Sequence, residues 1–369
     1  VGEKLDIVIV GGGAMGSAAA WQAAQRGLDV VLLEQFDFGH HHGASHGATR
    51  NFNEAYDRAD YVDLVVEARR MWNTLAEEHG ETLLESVGLV NHGHLAPLLR
   101  VRAEHERVGI DSVFLSPGEA AARWPGLRFR SEVLHVPGGG RVRADEALIA
   151  LRAAAERRSA LFRYESPVRS IDVVGPDEVV VGTDDAEYRA RRVIVTAGAW
   201  TTALLGSRMP LPRLVVTEEH PAHFRPRVTD IAWPSFNHSP DPDAPEDAYW
   251  LSAVYGMLTP GEGLKAGWHG VGAAIDPDHR PHHADPGQLA ALRRYVGEWL
   301  PGADPDVFDV ISCTYTMTAD EDFVLDREGP VVVGAGFSGH GFKFTPAIGR
   351  ILVDLAEGLT APARFRLGR

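Results

Sequence analysis

The sequence predicts an α/β fold in two parts, one with a parallel sheet and one an α+β unit with a mostly antiparallel sheet, and three observations carry that prediction. Leu5 to Glu34 reads as strand, glycine turn, helix and second strand. The stretches Arg191 to Trp200 and Pro330 to Phe344 each show a buried apolar strand running into a glycine turn and a helix start. Residues 83–140 break the strand–helix rhythm, and the stretch from Val215 onward has strands of alternating polarity, as in a sheet with one face packed and one open. The expected division is a discontinuous Rossmann-like domain (1–82, 141–213 and 318–369) and a substrate domain (83–140 and 214–317).

The first unit is the most explicit. Leu5, Ile7, Val8, Ile9 and Val10 form a near-continuous apolar run, expected of a strand buried on both faces. Gly11, Gly13 and Gly16 satisfy GxGxxG: the first permits the tight turn, the second lets backbone approach a pyrophosphate, and the third lets the helix lie close to the strand. The helix Ala14 to Gln25 points its amides and positive dipole end at that phosphate, and Gly27 stops it. Glu34 ends the strand Val30 to Leu33, where a carboxylate accepts hydrogen bonds from ribose hydroxyls. Taken alone, the unit holds the ADP half of NAD or FAD equally well.

Composition bounds the function. With 369 residues there is room for two domains and a large core. A formal net charge of -15 argues against nucleic acid or an anionic membrane as partner, because both are bound through cationic contacts to phosphate. No window has the roughly 18 consecutive apolar residues of a membrane span, and the first strand begins close to Val1, so a cytoplasmic protein is expected. One cysteine, Cys313, allows neither an intrachain disulfide nor a thiolate metal cluster.

Along the chain, the glycine- and histidine-rich segment from Phe36 to Arg58 has too little periodicity for a regular element and is expected to run along the cofactor. His40, His41, His42 and His46 raise a metal site, but their spacing imitates no ligand set and no carboxylate pair is near, so no metal is expected. Apolar residues at three- and four-residue steps predict a helix from Arg58 to Glu78. Residues 83–140 contain short strand-like runs (Val87 to Val90, Ser112 to Leu115). Asp145 to Arg158 reads as a helix, and Val168 to Val174, Val179 to Thr183 and Tyr188 to Val195 as a meander. Ser239 to Asp247 is a proline- and aspartate-rich loop with nothing to bury, expected as a mobile segment or lid. In the strand Leu264 to Val271, Lys265, Gly267 and His269 share one face and Leu264, Ala266 and Trp268 the other, so a lysine and a histidine stand on an open sheet face as a candidate site wall. Pro286 to Leu300 is a helix, Val307 to Met317 a strand with Ile311, Cys313, Tyr315 and Met317 on one side, and Ala347 to Gly358 the last helix. The turn at residues 336–344, GFSGHGFKF, sits where anionic groups bind, and Lys343 there with a helix dipole would suit a reduced flavin, whose charge lies over N1 and the C2 carbonyl.

At this point the chain resembles the monomeric sarcosine oxidase and N-methyltryptophan oxidase family of FAD flavoproteins, within the D-amino-acid-oxidase-like group. The resemblance spans nearly the full length and rests on GGGAMGSAAA at 11–20, SHGATR at 45–50, RRVIVTAGAW at 191–200, GLKAGWH at 263–269, CTYTMTADEDFVLD at 313–326 and GFSGHGFKF at 336–344. It implies an FAD-dependent amine oxidase that turns a secondary or tertiary amine into an imine and O2 into hydrogen peroxide, working as a monomer or small homo-oligomer. It implies a thioether between Cys313 and the flavin 8-methyl group. Lys265 is the oxygen-activating residue by resemblance, a fixed ammonium that stabilises superoxide charge. His269 lies near the substrate amine, Tyr255 and Tyr315 line the substrate cavity, and His46, Thr49 and Arg50 lie along the flavin. Further cofactor contacts are expected at Ala14, Met15, Ser45 and Val168, at Ala197, Gly198 and Trp200, and at Gly339, Gly341, Phe342 and Lys343.

One position departs from the family. Where it carries a second arginine that clamps the substrate carboxylate, this chain has Asn53, which cannot make a charge-assisted bidentate fork. Lys343, the family's other carboxylate partner, is retained. Two substrate classes stay open: an N-methyl amino acid held by a different cation, or a natural-product amine without a free carboxylate, oxidised by a tailoring oxidase or desaturase. A flavin dehydrogenase with another electron acceptor and an NAD-linked dehydrogenase are the alternative chemistries.

Overall fold

The computed structural model describes residues 4–206 and 208–368, apart from the side chain of Glu246. Strand Leu5–Val10 is central, pairing in parallel with Val30–Leu33 on one side and Glu187–Val195 on the other. Leu161–Arg163 and Val331–Ala335 extend the parallel sheet outward in each direction. The hairpin Val168–Gly175 and Glu178–Thr183 lies along the first part of Glu187–Val195, and Val324–Glu328 pairs antiparallel with Val331–Ala335. Val30–Leu33 and Val331–Ala335 are buried throughout, as their uniform apolarity requires. Ala14–Gln25 packs on the sheet between Ala144–Glu156 and Thr345–Ala356. Its contact with the last helix is so close that a Cβ on Gly349 would lie 2.6 Å from the Ala18 carbonyl carbon.

The second large sheet has eight strands in the order Ala303–Val310, Ala222–Pro226, Gly263–Trp268, Val254–Thr259, Ser235–Ser239, Leu89–Gly93, Val133–Val136 and Val113–Leu115. All neighbours are antiparallel except Ser235–Ser239 with Leu89–Gly93. The predicted α/β class, with a Rossmann-like unit and a mostly antiparallel second sheet, is what the chain forms. Helix Pro286–Trp299 places Leu292, Tyr295, Val296 and Trp299 against Phe224, Phe236, Leu264, Ala266 and Trp268. That packing consumes one face of Gly263–Trp268 and leaves Lys265 and Gly267 on the other, as the two-residue period requires.

Several boundaries differ from expectation. Val307 to Met317 is two strands in two sheets: Ala303–Val310 pairs with Ala222–Pro226, whereas Cys313–Met317 pairs with Val215–Glu219 in a three-stranded sheet. The chain turns the corner where the Ile311 amide donates to the carbonyl of Pro221, itself a residue without an N–H. Alternation therefore relates Cys313, Tyr315 and Met317 but does not reach Ile311. The strand from Leu264 stops at Trp268, since the amides of Val271 and Gly272 donate to the Glu219 carboxylate instead of to a ladder. The histidine-rich segment contains a strand after all, Thr49–Phe52, held by pairing with Gly140–Arg143 and not announced by any apolar period. Helices Leu95–Val108 and Pro117–Arg123 lie within the stretch read as short strands. The loop Ser239 to Asp247 does bury something: Asp247 is inside and accepts from the Asp241 amide, with a 3-10 turn at Pro245–Asp247. No helix among the described residues is long and apolar enough to cross a membrane.

Candidate active site

One continuous cavity of about 1400 Å³ runs from the glycine turn, past the histidine-rich segment, to the open face of the second sheet. At its first end the backbone forms a cradle. Gly11 has φ +101°, and a Cβ there would fall 2.5 Å from the Thr196 carbonyl oxygen; one on Gly13 would fall 2.9 Å from Ser45 Oγ. Gly16 packs the helix on the turn, with a Cβ reaching 1.9 Å from the Gly11 oxygen. Gly13 begins the helix without a side-chain cap, so its dipole end faces the cavity uncapped apart from the Ala14 amide, which donates to Ser45 Oγ at 3.0 Å. Glu34 accepts from the amides of Gly12 (2.6 Å) and Phe36 (3.0 Å). Burial would raise its pKa, but His40 and these two amides outweigh that and hold it below the usual carboxylate value. A fixed carboxylate beside an amide-lined cradle is a donor and acceptor set that fits a ribose and a pyrophosphate.

In the middle of the cavity Arg50 folds back on its own segment, donating to the carbonyls of Thr49, Ala44 and His46, and lies 5.6 Å from the Phe342 ring centroid. His46 sets one ring nitrogen on the Gly43 carbonyl (2.8 Å) and the other on that of Ser312 (3.1 Å), next to Cys313. Burial and then Arg50 push its pKa down to about 4, so the ring is neutral and only one of those contacts is an N–H donation. Ser312 is tied in turn to buried Glu218 and to Arg280, whose guanidinium also donates to the carbonyls of His41 and His42. Cys313 begins its strand half-buried, with its sulfur in the cavity lining. Trp200 closes the opposite wall, donating to Asp278 at 2.7 Å.

At the far end stand two buried lysines. Lys343 donates to Tyr56 Oη (2.8 Å) and to the His340 carbonyl (2.7 Å). Lys265 is 5% exposed, and its ammonium has no hydrogen-bond partner among the described residues. Burial lowers both pKa values to about 7, with Arg50 adding to the effect at Lys265. His269 follows the strand's end, its ring 5.4 Å from that of Tyr315, and burial and Lys343 hold its pKa near 4, so it is neutral. The Tyr255 and Tyr315 phenols act on each other, and burial raises both, Tyr255 to about 12. Asn53 lines the cavity while its Oδ1 accepts from the Ala55 amide at 2.8 Å.

The fold thus brings the catalytic and cofactor-binding candidates read from the sequence to this one cavity, Val168, Ala197, Gly198, Gly339 and Gly341 included, except Gly16, which acts from behind the turn. The four histidines of the segment form no metal-binding group, and among the described residues there is none. The sequence reading missed Tyr56, the Arg280–Ser312–Glu218 cluster, and His223 with Glu262, all in the cavity's wall or against it. These are set by strand register and by loop contacts that leave no periodic signal.

Comparison with known proteins agrees with this geometry. The family described as FAD dependent oxidoreductase matches residues 6–355. Monomeric sarcosine oxidase of Bacillus sp. (strain B-0618) is 32% identical, covering 95% of this chain and 92% of that protein. Human peroxisomal sarcosine oxidase is also 32% identical, covering 99% and 96%. Among solved structures, NikD, an unusual amino acid oxidase essential for nikkomycin biosynthesis, superposes with a TM-score of 0.85 at 28% identity, covering 98% of this chain and 96% of that one. With a nucleotide cradle that fits FAD and a family match across nearly its whole length, this chain belongs to the FAD dependent oxidoreductases.

Proposed function

We propose that the protein is an FAD-dependent amine oxidase that converts the C–N bond of a secondary or tertiary amine to an imine and reduces O2 to hydrogen peroxide. The observation that carries this reading is the pair of buried lysines and neutral His269 gathered at the far end of a cavity whose other end fits a dinucleotide. Bound FAD would supply the hydride acceptor and the electron donor to O2. The protein's part is to bind, orient and exclude water. Gly11, Gly13 and Glu34 would hold the ADP half; Arg50, His46 and Thr49 would frame the ring system; Cys313 would attach it covalently. His269, being neutral, would hydrogen-bond the amine, whose uncharged form is the one whose carbon gives up hydride. Tyr255 and Tyr315 wall the substrate, and Lys343 is its available cation.

The expected outcome of a peroxide assay on the purified yellow protein is O2-dependent release of hydrogen peroxide with an amine panel of sarcosine, N-methyl amino acids, cyclic imino acids and carboxylate-free amines. Flavin reduction without peroxide would instead favour a dehydrogenase with another acceptor. Asn53 decides the class within the panel. Asn53→Arg should lower KM for sarcosine roughly tenfold through a charge-assisted contact and leave carboxylate-free amines unimproved.

The assignment of residues 1–82, 141–213 and 318–369 to an FAD domain, and of 83–140 and 214–317 to a substrate domain, belongs to the same proposal. It is supported by the separation of the sheet built on Leu5–Val10 from the mostly antiparallel one that holds Lys265. We propose a monomer in the cytoplasm, the first part in line with the name of the Bacillus relatives.

A further inference from the structure

Strand Ala222–Pro226 lies between Gly263–Trp268 and Ala303–Val310, with His223 directly opposite Lys265 on one side and Asp309 on the other. Directly opposed residues of antiparallel strands project to the same face with Cβ atoms about 4.5–5.5 Å apart, so Asp309, His223 and Lys265 form a row. His223 is 6% exposed. Its Nδ1 faces Glu262 Oε2 at 3.3 Å, and its Nε2 is buried without a hydrogen-bond partner. Glu262, in the turn before the lysine strand, is 46% exposed. A histidine that leaves one buried nitrogen unpaired carries an uncompensated desolvation cost.

We propose that Glu262 and His223 form a proton relay that recharges Lys265 from solvent. This rests on the reading of Lys265 as the residue facing oxygen. Making hydrogen peroxide from O2 consumes two electrons and two protons, so a lysine that gives a proton away must be reprotonated, and Lys265 itself is nearly buried. Glu262 takes a proton from water and passes it to His223 Nδ1, and the proton on Nε2 goes to Lys265 Nζ through a water bridging the two nitrogens, neither of which has a direct partner among the described residues. One proton enters and one arrives, with no change in electrons. The charges around the row suit this traffic. Burial and then the Lys265 charge hold the His223 ring neutral, so it can pass a proton on rather than keep it. Glu262 and Asp309 draw protons inward from the exposed side, while Arg50 bears on Lys265 from within, opposed by Cys313 and Asp145.

The test compares wild-type holoenzyme with His223→Phe, Glu262→Gln and Lys265→Met. Stopped flow would follow the amine and oxygen half-reactions separately against pH, in H2O and D2O. Proton NMR would follow the His223 ring titration. Both relay variants should slow the oxygen half-reaction at least about tenfold, more at high pH, with the amine half-reaction unchanged. In Lys265→Met the His223 ring should titrate at higher pH, because a neighbouring positive charge is gone. Oxygen half-reactions at the wild-type rate in both relay variants would overturn the relay. Should His223→Phe fail to hold flavin, exposed Glu262→Gln decides alone: an unchanged oxygen rate overturns the proposal, and a slowed one supports it. If Lys265→Met itself reoxidises normally, the reading beneath is overturned and the relay with it; if only that variant is slow, the relay alone falls.

Discussion

Lys265→Met should slow reaction of the reduced protein with O2 by roughly 100- to 1000-fold, the cost of removing one preorganised charge from a site of developing negative charge, while reduction by amine proceeds nearly as before. The asymmetry follows from placement: the ammonium is buried, has no hydrogen-bond partner among the described residues and so can serve whatever anion forms beside it. Methionine fills similar volume without charge, which separates electrostatics from packing. The sign of the pH dependence follows as well. In the protein alone, burial and Arg50 set this lysine near 7; it is charged below that value and neutral above it. The oxygen rate should therefore fall as pH rises through its pKa, and a neighbouring reduced flavin anion shifts that midpoint above 7 by favouring the charged form. Stopped-flow traces with equal losses in both half-reactions would remove Lys265 from this role.

The second large effect is all-or-none. Acid-precipitated wild-type protein should give a yellow pellet, and Cys313→Ala a colourless pellet with a yellow supernatant, because the sequence contains no other sulfhydryl. The substitution should spare the fold: the side chain is half-buried, and its sulfur makes only a long 3.8 Å contact to the Thr314 carbonyl. Yellow supernatant from the wild type would mean that the cysteine merely packs.

Much of this was legible in the primary structure for specific reasons. The glycine turn, Glu34 and the strand with Lys265 obey local rules, a turn needing φ > 0 and a two-residue period, so their environment follows from neighbours in sequence. The Cys313 corner does not. Its break falls where the partner is Pro221, far away in the chain, which accepts from Ile311 but has no N–H to give back. His223 fails for the same reason: nothing near it predicts that it will stand opposite Lys265, since that is a matter of register between separate strands. Thr49–Phe52 forms because Gly140–Arg143 offers a partner edge, a tertiary cause with no imprint on apolar spacing.

The parallel sheet has a temporal consequence. Strand Val331–Ala335, the turn carrying Lys343 and the helix against Ala18 come from the last part of the chain, yet they complete a cavity begun by the first residues. Contacts of such long sequence separation form late and slowly. A chain still being synthesised has the glycine turn before it has the far wall, so cofactor capture is expected to wait for these later segments. Removing the final helix should thus abolish flavin retention rather than merely loosen an end.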